Sequence, residues 1–373
     1  MANRKKTRVL IATGIYPPDI GGPATYSKLL FDELPKKGFS VRVLSFGEVR
    51  RFPKVVRHFL YFFKLFLKAF KSDFIFAQDA VSVGFPSLLV SKILNKKFLI
   101  RVPGDHAWEQ GTQRFGITDS IDDFQNKKYN QKVEFLRKIQ KFVVSHADVV
   151  IIPSNYFKNL VSGWMKNTNT LHTIYNGVDF ESAGTKEDCR DKLGMSDDTI
   201  VIVSAGRLVP WKGFDEVISV VSKLQESVLK VKLLILGDGP ERENLEALIS
   251  KKKMENFVTI TGNLPRSELL AYLRASDIFI LNSNFESFSF QTVEAMYCGT
   301  GVIVSRIGSL PELVEDGSSG ILFDVNDETA MLKAMKYMIE HPDQKGIMVL
   351  HAMQRAQTFS IENTISNLIK FIQ

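Results

Sequence analysis

Short apolar runs alternate with longer amphipathic runs along most of the chain. Uninterrupted apolar runs are typical of strands that are buried on both faces of a parallel sheet. They lie at 7–13, 41–46, 73–78, 98–102, 148–153, 200–206, 231–237, 258–262, 277–281 and 301–305. Helix-like segments separate these runs, among them 24–37, 84–95 and 131–147. The pattern therefore predicts repeated βα units.

A polar stretch interrupts this alternation in the middle of the chain. Residues 176–199 lose the strand pattern, and we interpret them as the link between two domains. Two consecutive βα arrays predict two Rossmann-like, doubly wound α/β domains that face each other across a cleft. Such a cleft, at the carboxyl ends of the strands, is the expected ligand site.

Composition and cysteine usage narrow the class of protein. Of 373 residues, 45% are hydrophobic and 24% are charged, as in ordinary soluble globular proteins. Cys189, Cys298 and the six histidines lack the spacing of metal sites. We expect a reducing, cytoplasmic location, no disulfide framework and no structural metal. We also expect no signal peptide and no segment that crosses a membrane, because every apolar run is too short.

Charge is divided unevenly between the two halves. Residues 1–180 contain 28 Lys and Arg against 14 Asp and Glu, a net charge of +14, and the remainder carries −7. This asymmetry indicates that the first half faces an anionic surface, either nucleic acid or an anionic membrane.

Two loops that follow strands carry residues suited to anion binding. Gly21 and Gly22 would let the backbone approach a ligand at the start of a helix, although a tight turn is the alternative. Arg207 and Lys212 lie five residues apart after the run 200–206. They would converge on an anion such as a phosphate, or else be solvated surface charges.

A third loop, residues 282–296, contains two glutamates eight positions apart. Glu286 is predicted to lie in the loop after 277–281, and Glu294 in the following helix. A helix N-terminus near 288–291 would offer amides to a phosphate, Glu294 would bind a ribose diol, and Glu286 would reach sugar hydroxyls. The alternative is a helix-dipole glutamate and an unrelated loop acid. A sugar nucleotide fits better than a dinucleotide, because the second array lacks G-x-G-x-x-G.

The chain resembles the family 4 glycosyltransferases, which have the two-domain GT-B fold and mostly retain the anomeric configuration of the sugar. The resemblance rests on "PPDIGGPATYSKLL" (17–30), "YNGVD" (175–179), "GRLVPWKGFD" (206–215), "LGDGPER" (236–242) and the E-x7-E region 276–323. The final helix commonly crosses back in such folds, and 359–373 is a suitable segment. The implied domains are 1–182 with 358–373, and 183–357.

The resemblance implies a site for a nucleotide diphosphate sugar, with no metal or other cofactor. Arg207 and Lys212 would bind the diphosphate and Glu294 the ribose, and Glu286 would be a catalytic residue that faces the donor sugar. The other implied donor-binding residues are Gly21, Gly22, Asn263, Leu264, Phe288, Ser289 and Phe290.

The sequence departs from the family pattern at several positions. Ser287 and Ser289 stand where glycine is frequent, and Gly301 stands where proline is usual. The family's histidine after the fourth strand is not cleanly matched. Asp105 and His106 are the candidates there, and a structural loop histidine is the alternative for His106.

The expected reaction is transfer of a hexose with retention, in which cations and a helix end stabilise the leaving diphosphate. The leaving phosphate would accept the proton of the acceptor on the same face of the sugar. A sugar-nucleotide epimerase and a catalytically silent nucleotide-sugar-binding protein are the alternatives.

Residues 50–71 predict an amphipathic helix with one basic and one aromatic face. The basic residues that we expect to face an anionic membrane are Arg50, Lys54, Arg57, Lys64, Lys68 and Lys71. A core-packed helix with a solvated basic face is the alternative. Nucleic acid is not expected, because the aromatic residues are segregated from the cations. The helix therefore predicts a cytoplasmic enzyme, peripheral at the inner face of the membrane, with a lipid-linked or glycan acceptor.

Overall fold

The computed structural model describes residues 6–19, 21–227 and 230–372. The chain divides into two compact units. The first unit runs to Gly177 and resumes at Ile361, and the second spans Val178–Ser360. The first unit thus ends five residues earlier than the predicted boundary at 182 and resumes three residues later than 358.

The first unit contains a six-stranded parallel sheet in the order β2-β1-β3-β4-β5-β6. Its strands are Arg8–Thr13 (β1), Ser40–Ser45 (β2), Phe74–Ala77 (β3), Lys97–Arg101 (β4), Val149–Ile152 (β5) and Leu171–Thr173 (β6). Its helices up to the boundary are Gly22–Glu33 (α1), Lys54–Phe70 (α2), Gly84–Ile93 (α3), His106–Phe115 (α4), Ile121–Asn126 (α5), Gln131–Ser145 (α6) and Asn155–Ser162 (α7).

The second unit contains another six-stranded parallel sheet, in the order β12-β11-β10-β7-β8-β9. Its strands are Ile200–Ala205 (β7), Val231–Leu236 (β8), Val258–Gly262 (β9), Ile278–Leu281 (β10), Gly301–Ser305 (β11) and Ile321–Phe323 (β12). Its helices are Lys186–Leu193 (α8), Phe214–Gln225 (α9), Arg242–Lys251 (α10), Arg266–Ala275 (α11), Phe290–Tyr297 (α12), Leu310–Leu313 (α13), Glu328–Glu340 (α14) and Pro342–Ala356 (α15).

The last helix, Ile361–Ile372 (α16), returns to the first unit. Its apolar face places Ile365, Leu368 and Ile372 in the same buried cluster as Val9 of β1 and Tyr26 of α1. Burial of this face holds the end of the chain against the first sheet.

The polar stretch 176–199 is more than a link, which corrects the prediction. It contains α8, and the capping box of Thr185 and Asp188 starts this helix. Arg190 of α8 is buried and donates to Oδ2 of Asp277 at 2.7 Å and to the carbonyl of Ala275 at 2.9 Å. These bonds make α8 part of the second unit.

Among the described residues, no helix is both long and apolar enough to span a bilayer.

Candidate active site

The strand order of the second sheet marks a position for a ligand. Numbered within the unit, the order is 3-2-1-4-5-6, so the chain reverses direction across the sheet between β7 and β10. Ligands of doubly wound sheets bind at the carboxyl ends of the strands at this switch point. The loop after β7 carries Arg207 and Lys212, and the loop after β10 carries Glu286. The topology therefore brings these three predicted residues to one edge of one sheet.

Backbone contacts fix these two loops to each other. The amide of Asn284 donates to the carbonyl of Trp211 at 2.7 Å, and Oγ of Ser283 donates to the same carbonyl at 3.1 Å. Gly213 has φ of 58°, and a Cβ there would lie 2.2 Å from the carbonyl oxygen of Asn282. Only glycine permits this approach, so Gly213 allows the loop that bears Lys212 to lie against the end of β10.

Lys212 and Glu286 form a direct ion pair between Nζ and Oε1. Their side chains are only 12% and 8% exposed, so the pair is shielded from solvent. The carbonyl of Glu286 accepts the amide of Ser309 at 2.9 Å, which fixes the backbone that carries the carboxylate. The sequence did not predict this pair, because the partners are 74 residues apart.

Arg207 differs from Lys212 in its surroundings. Its side chain is exposed and forms no ion pair or side-chain hydrogen bond within the described part of the chain. It follows Gly206, whose missing Cβ would lie 3.6 Å from Nζ of Lys212. The two cations therefore stand at the same strand end, one compensated and the other available to an anion.

The glycines of "LGDGPER" have a packing role in this edge. A Cβ on Gly237 would lie 2.0 Å from the carbonyl oxygen of Gly206, and one on Gly239 would lie 2.3 Å from that of Leu208. These glycines let the loops after β7 and β8 contact each other by their backbones. This packing supports the loop of Arg207 from the other side.

Glu294 lies in α12, as expected, and it is buried with a partner that the sequence did not predict. Its Oε1 accepts from Arg266 of α11 at 2.5 Å, and Arg266 also donates to the carbonyl of Asp179 at 2.6 Å. The other carboxylate oxygen, Oε2, is buried without a hydrogen-bond partner. Burial raises the pKa of Glu294, and Arg266 opposes the rise. An unpaired buried acceptor of this kind is suited to a ligand hydroxyl.

The predicted helix start near 288–291 is confirmed at Phe290. Ser289 is the N-cap, and its Oγ accepts the amide of Thr292 at 3.3 Å. The first turn contains no acidic residue, so the positive end of the helix dipole is uncompensated there. Phe288 is buried, and its ring lies 5.3 Å from that of Phe290. Serine in place of the frequent glycine thus caps the helix.

Asn263 and Leu264 lie in the loop between β9 and α11, where Asn263 is exposed and Leu264 is half-buried. This loop joins the end of β9 to Arg266, the first residue of α11. Whether these two residues contact a base stays a prediction.

In the first unit, Gly21 and Gly22 stand at the start of α1. Gly21 is the N-cap with φ of 146°, and no side chain caps the helix. A Cβ on Gly21 would lie 3.1 Å from Cδ1 of Ile15, so the position favours glycine in both conformation and space. The amides of this helix end have no side-chain acceptor and are suited to an anion.

Asp105 has a structural role that changes the expectation for it. It is fully buried as the N-cap of α4. Its Oδ1 accepts from the amide of Trp108 at 3.1 Å and from Gln140 at 2.9 Å, and its Oδ2 accepts from Gln125 at 2.9 Å. A carboxylate bound on both oxygens anchors helices α4, α5 and α6 to one another. A catalytic role for Asp105 stays a prediction.

His106 is the first residue of α4 and is half-buried. Burial lowers the pKa of its imidazole, although the charges of Asp79 and Asp105 oppose this shift. A lowered pKa keeps the imidazole neutral at neutral pH. His106 and Asp79 follow the adjacent strands β4 and β3, so both lie at the carboxyl edge of the first sheet.

The exposure predicted for α2 is corrected by the structure. Glu48 pairs with Lys64 at 3.1 Å and with Lys68 at 3.7 Å, and Arg50 pairs with Asp19 at 3.1 Å. Asp19, which follows β1, and Glu48, which follows β2, therefore bind these cations within the first unit. Among the described side chains of α2, Val55, Phe59 and Phe70 are exposed, whereas Arg57, Lys64 and Lys68 are half-buried.

The remaining predicted basic residues are Lys54 and Arg57 of α2 and Lys71, which follows the helix. The guanidinium of Arg57 lies 5.7 Å from the ring centre of Phe46. Lys71 is exposed, and the side chain of Lys54 lies outside the described residues.

Within the described ranges, no group of three or more His, Cys, Asp or Glu side chains is arranged to hold a metal ion.

Comparison with known proteins identifies the unit that carries this site. Residues 185–354 match the family of glycosyl transferases group 1. The matched residues lie within the second unit. The site of Arg207, Lys212, Glu286 and Glu294 therefore lies inside the part of the chain that matches this family.

Relatives with curated names agree with this assignment. The D-inositol 3-phosphate glycosyltransferase of Thermobifida fusca is 28% identical over 221 residues, which cover 56% of this chain and 51% of the relative. A GDP-mannose-dependent alpha-(1-6)-phosphatidylinositol monomannoside mannosyltransferase of Mycolicibacterium smegmatis is 29% identical over 213 residues, covering 54% and 56%. The chain thus spans about half the length of these relatives.

Solved structures confirm the fold of the whole chain. Sucrose-phosphate synthase from Thermosynechococcus elongatus has a TM-score of 0.83 at 19% identity, covering 98% of each chain. Anabaena HepE in complex with UDP-glucose has a TM-score of 0.78 at 18% identity, covering 98% of this chain and 99% of HepE. The predicted two-domain GT-B fold is confirmed, the resemblance to a GT-B glycosyltransferase holds, and family 4 is consistent with it.

Proposed function

We propose that this protein is a retaining glycosyltransferase that transfers a hexose from a nucleotide diphosphate sugar to a lipid-linked or glycan acceptor. The observation that carries the proposal is the buried Lys212–Glu286 pair beside the exposed Arg207 at the switch point of the second sheet. This edge offers cations for a diphosphate and a carboxylate for a sugar within one family-matched domain.

Each donor group has a candidate partner in this arrangement. Arg207 and Lys212 hold the diphosphate, together with the uncompensated N-terminus of α12. Glu294 accepts a ribose hydroxyl on Oε2, the atom that lacks a partner. Glu286 binds hydroxyls of the donor hexose. The names of two neighbours, which include UDP-glucose and GDP-mannose, support a sugar nucleotide as the donor.

The proposed chemistry uses charge stabilisation by fixed groups. As the bond between the sugar and the phosphate breaks, negative charge grows on the leaving diphosphate, and preorganised donors lower the energy of that state. The departing phosphate takes the proton of the attacking hydroxyl on the same face, which retains the anomeric configuration. Two cations and a helix end serve the role that a metal ion has elsewhere, so we expect transfer to continue in excess EDTA.

A pocket in the first unit supports a polar acceptor group. It has a volume of about 430 Å³ and lies among the residues that follow β1 and β2. Tyr16, Ser45 and Glu48 line it, with Asp19 and Arg50 also at its wall. Hydroxyl, carboxylate and guanidinium groups in one pocket are suited to sugar hydroxyls. A lipid-linked acceptor is supported by the phosphatidylinositol monomannoside in the name of one relative.

The test is release of nucleoside diphosphate from UDP-, GDP-, ADP- and dTDP-hexoses, with and without total lipid extract from the expressing cells. The proposal predicts release from one donor that depends on the extract, and an α-linked product from an α-linked donor by anomeric NMR coupling. Conversion of the donor into its epimer without extract would identify an epimerase. Binding without release or conversion would identify a silent binding protein.

A further inference from the structure

Helices α2, α3 and α6 pack side by side in the first unit and share an apolar outer face. Contacts join α2 to α3 and α3 to α6, and the rings of Phe85 and Phe142 lie 6.4 Å apart across the second of these contacts. Among the described residues, ten of the thirteen exposed large apolar side chains lie on these helices. They form the three-helix surface: Val55, Val56, Phe59, Phe63, Leu67, Phe70, Leu89, Ile93, Phe135 and Phe142.

The three-helix surface is too exposed to be a partly buried core. Val55 is 83% exposed, Phe59 73% and Phe70 67%. The same helix buries a separate stripe, Tyr61, Leu65 and Ala69, against the unit. Soluble proteins seldom leave contiguous apolar patches of this kind uncovered. The outer stripe of α2 is therefore expected to meet a partner of its own.

The charge of these helices restricts the chemistry of that partner. The sequences of α2, α3 and α6 contain nine Lys and Arg and a single acid, Glu134. Glu134 is itself paired with Arg137 at 2.8 Å. Lys92, Lys132 and Lys138 are exposed around the apolar side chains. A second copy of this chain would bring like charges together, whereas an anionic surface with an apolar layer behind it satisfies both features.

We propose that the three-helix surface docks on an anionic lipid bilayer, with its apolar side chains among the acyl chains and its lysines at the head groups. The sequence predicted that the basic residues of α2 contact the membrane. In this proposal the exposed apolar side chains of the same helix make that contact. Membrane docking itself does not depend on the proposed function, but the delivery of a lipid-linked acceptor to the pocket described next does. The pocket of Glu48 lies beside α2, because Glu48 pairs with Lys64 and Lys68 of that helix. The polar end of a lipid-linked acceptor would reach this pocket from the docked position.

The test is co-flotation of the protein with phosphatidylcholine vesicles that do or do not contain phosphatidylglycerol, at low and high salt. The test variant is Phe59→Gln/Phe63→Gln/Phe70→Gln, which changes only exposed side chains. The matched control is Ile347→Gln/Leu350→Gln, two exposed apolar residues of α15 in the other unit. We expect the test variant to lose at least about tenfold in vesicle binding, and the control to bind like the wild type.

A second variant separates charge from apolar insertion. Lys92→Glu/Lys138→Glu leaves the apolar side chains in place, and each replacement is expected to weaken anionic-vesicle binding by more than about fivefold, because it removes a positive charge and adds a negative one. Binding to pure phosphatidylcholine should change little in this variant. This variant also keeps the proposal testable if the triple variant does not fold.

Three results would overturn the membrane proposal. The first is that the wild-type protein does not float with anionic vesicles at low salt. The second is that the test variant binds vesicles like the wild type. The third is that the wild type is a dimer in solution and the test variant is a monomer. Thermal shifts with nucleoside diphosphates, measured on the same samples, report separately on the donor site. A retained shift with lost flotation, or the reverse, distinguishes failure of one proposal from failure of the other.

Discussion

Lys212 and Glu286 form a buried ion pair that joins the loop after β7 to the loop after β10. The pair spans the switch point of the second sheet, where the order of strands reverses. Each partner compensates the charge of the other in a place that solvent barely reaches. An incoming diphosphate would meet Lys212 already positioned, because the pair fixes its ammonium group over Gly206.

Removal of one partner of this pair should destabilise the second unit strongly. Lys212→Ala leaves Glu286 buried and unpaired, and breaking a buried pair typically costs about 3–5 kcal/mol in the free energy of unfolding. Urea denaturation measures this loss. The matched control is Lys223→Ala, which breaks the exposed pair with Glu328 and should cost at most about 1 kcal/mol. Equal losses in the two variants would contradict the structural role of the Lys212–Glu286 pair.

Arg207 should separate function from stability. Its side chain is exposed, so Arg207→Ala should change the free energy of unfolding by no more than about 0.5 kcal/mol. The rate of sugar transfer should nevertheless fall by about 10²–10³, as for loss of one donor to a developing oxyanion. Arg42→Ala, at another exposed arginine, is the control and should transfer normally. Near-wild-type transfer by Arg207→Ala would remove Arg207 from the diphosphate site.

The Glu294–Arg266 pair predicts a particular dependence of stability on pH. Burial raises the pKa of Glu294 in the folded protein, so between the ordinary glutamate pKa and this raised value the folded state binds more protons than the unfolded state. The free energy of unfolding therefore falls as pH rises through that interval. Arg266→Ala removes the opposing charge and should make the fall steeper and extend it to higher pH.

Thermal unfolding from about pH 4 to pH 8 measures this dependence. Glu294→Gln should flatten the Glu294 contribution, since the amide does not titrate. Arg242→Ala, which breaks partly exposed ion pairs with Asp238 and Glu246, should follow the wild-type curve. An Arg266→Ala curve parallel to the wild type would show that Arg266 does not control the ionisation of Glu294.

Ser289 should stabilise the second unit through the hydrogen bond that caps α12, and not through the space that its side chain fills. Ser289→Ala removes the oxygen that accepts the amide of Thr292 and should cost about 0.5–2 kcal/mol in stability. Ser289→Gly should lower the free energy of unfolding by only about a few tenths of a kcal/mol relative to the wild type, because glycine is tolerated at an N-cap. Chemical denaturation ranks the three proteins. A glycine variant as unstable as the alanine variant would point to a different role for this serine.

Buried parallel strands were readable from the sequence because both of their faces are apolar. All ten predicted strands are present, whereas the edge strands β6 and β12 were missed. Each of those has three residues, too few for a periodic pattern. Helix α8 was also missed, because its polar sequence is held by the contact of Arg190 with Asp277, a partner 87 residues away.

The candidate site was predicted in its residue types but not in its pairings. The positions of Glu286 and Glu294 followed from a strand end and a helix start, both of which are local signals. The partners Lys212 and Arg266 depend on which loops the sheet order places together, and no local pattern encodes that order. The lysines Lys64 and Lys68 of α2 are less exposed than predicted for a related reason. Periodicity shows that a helix has two faces, but Glu48, outside the helix, decides which way these lysines turn.

The most direct test of the central claim is the thermal shift of the wild type and of Arg207→Ala with UDP, GDP, ADP and dTDP. A ligand that binds only the folded state raises the unfolding temperature in proportion to its affinity and concentration. The diphosphate site predicts that one nucleotide stabilises the wild type and that this shift is lost in Arg207→Ala, whose unligated unfolding temperature is unchanged. Absence of a shift with all four nucleotides, or an equal shift in both proteins, would contradict it.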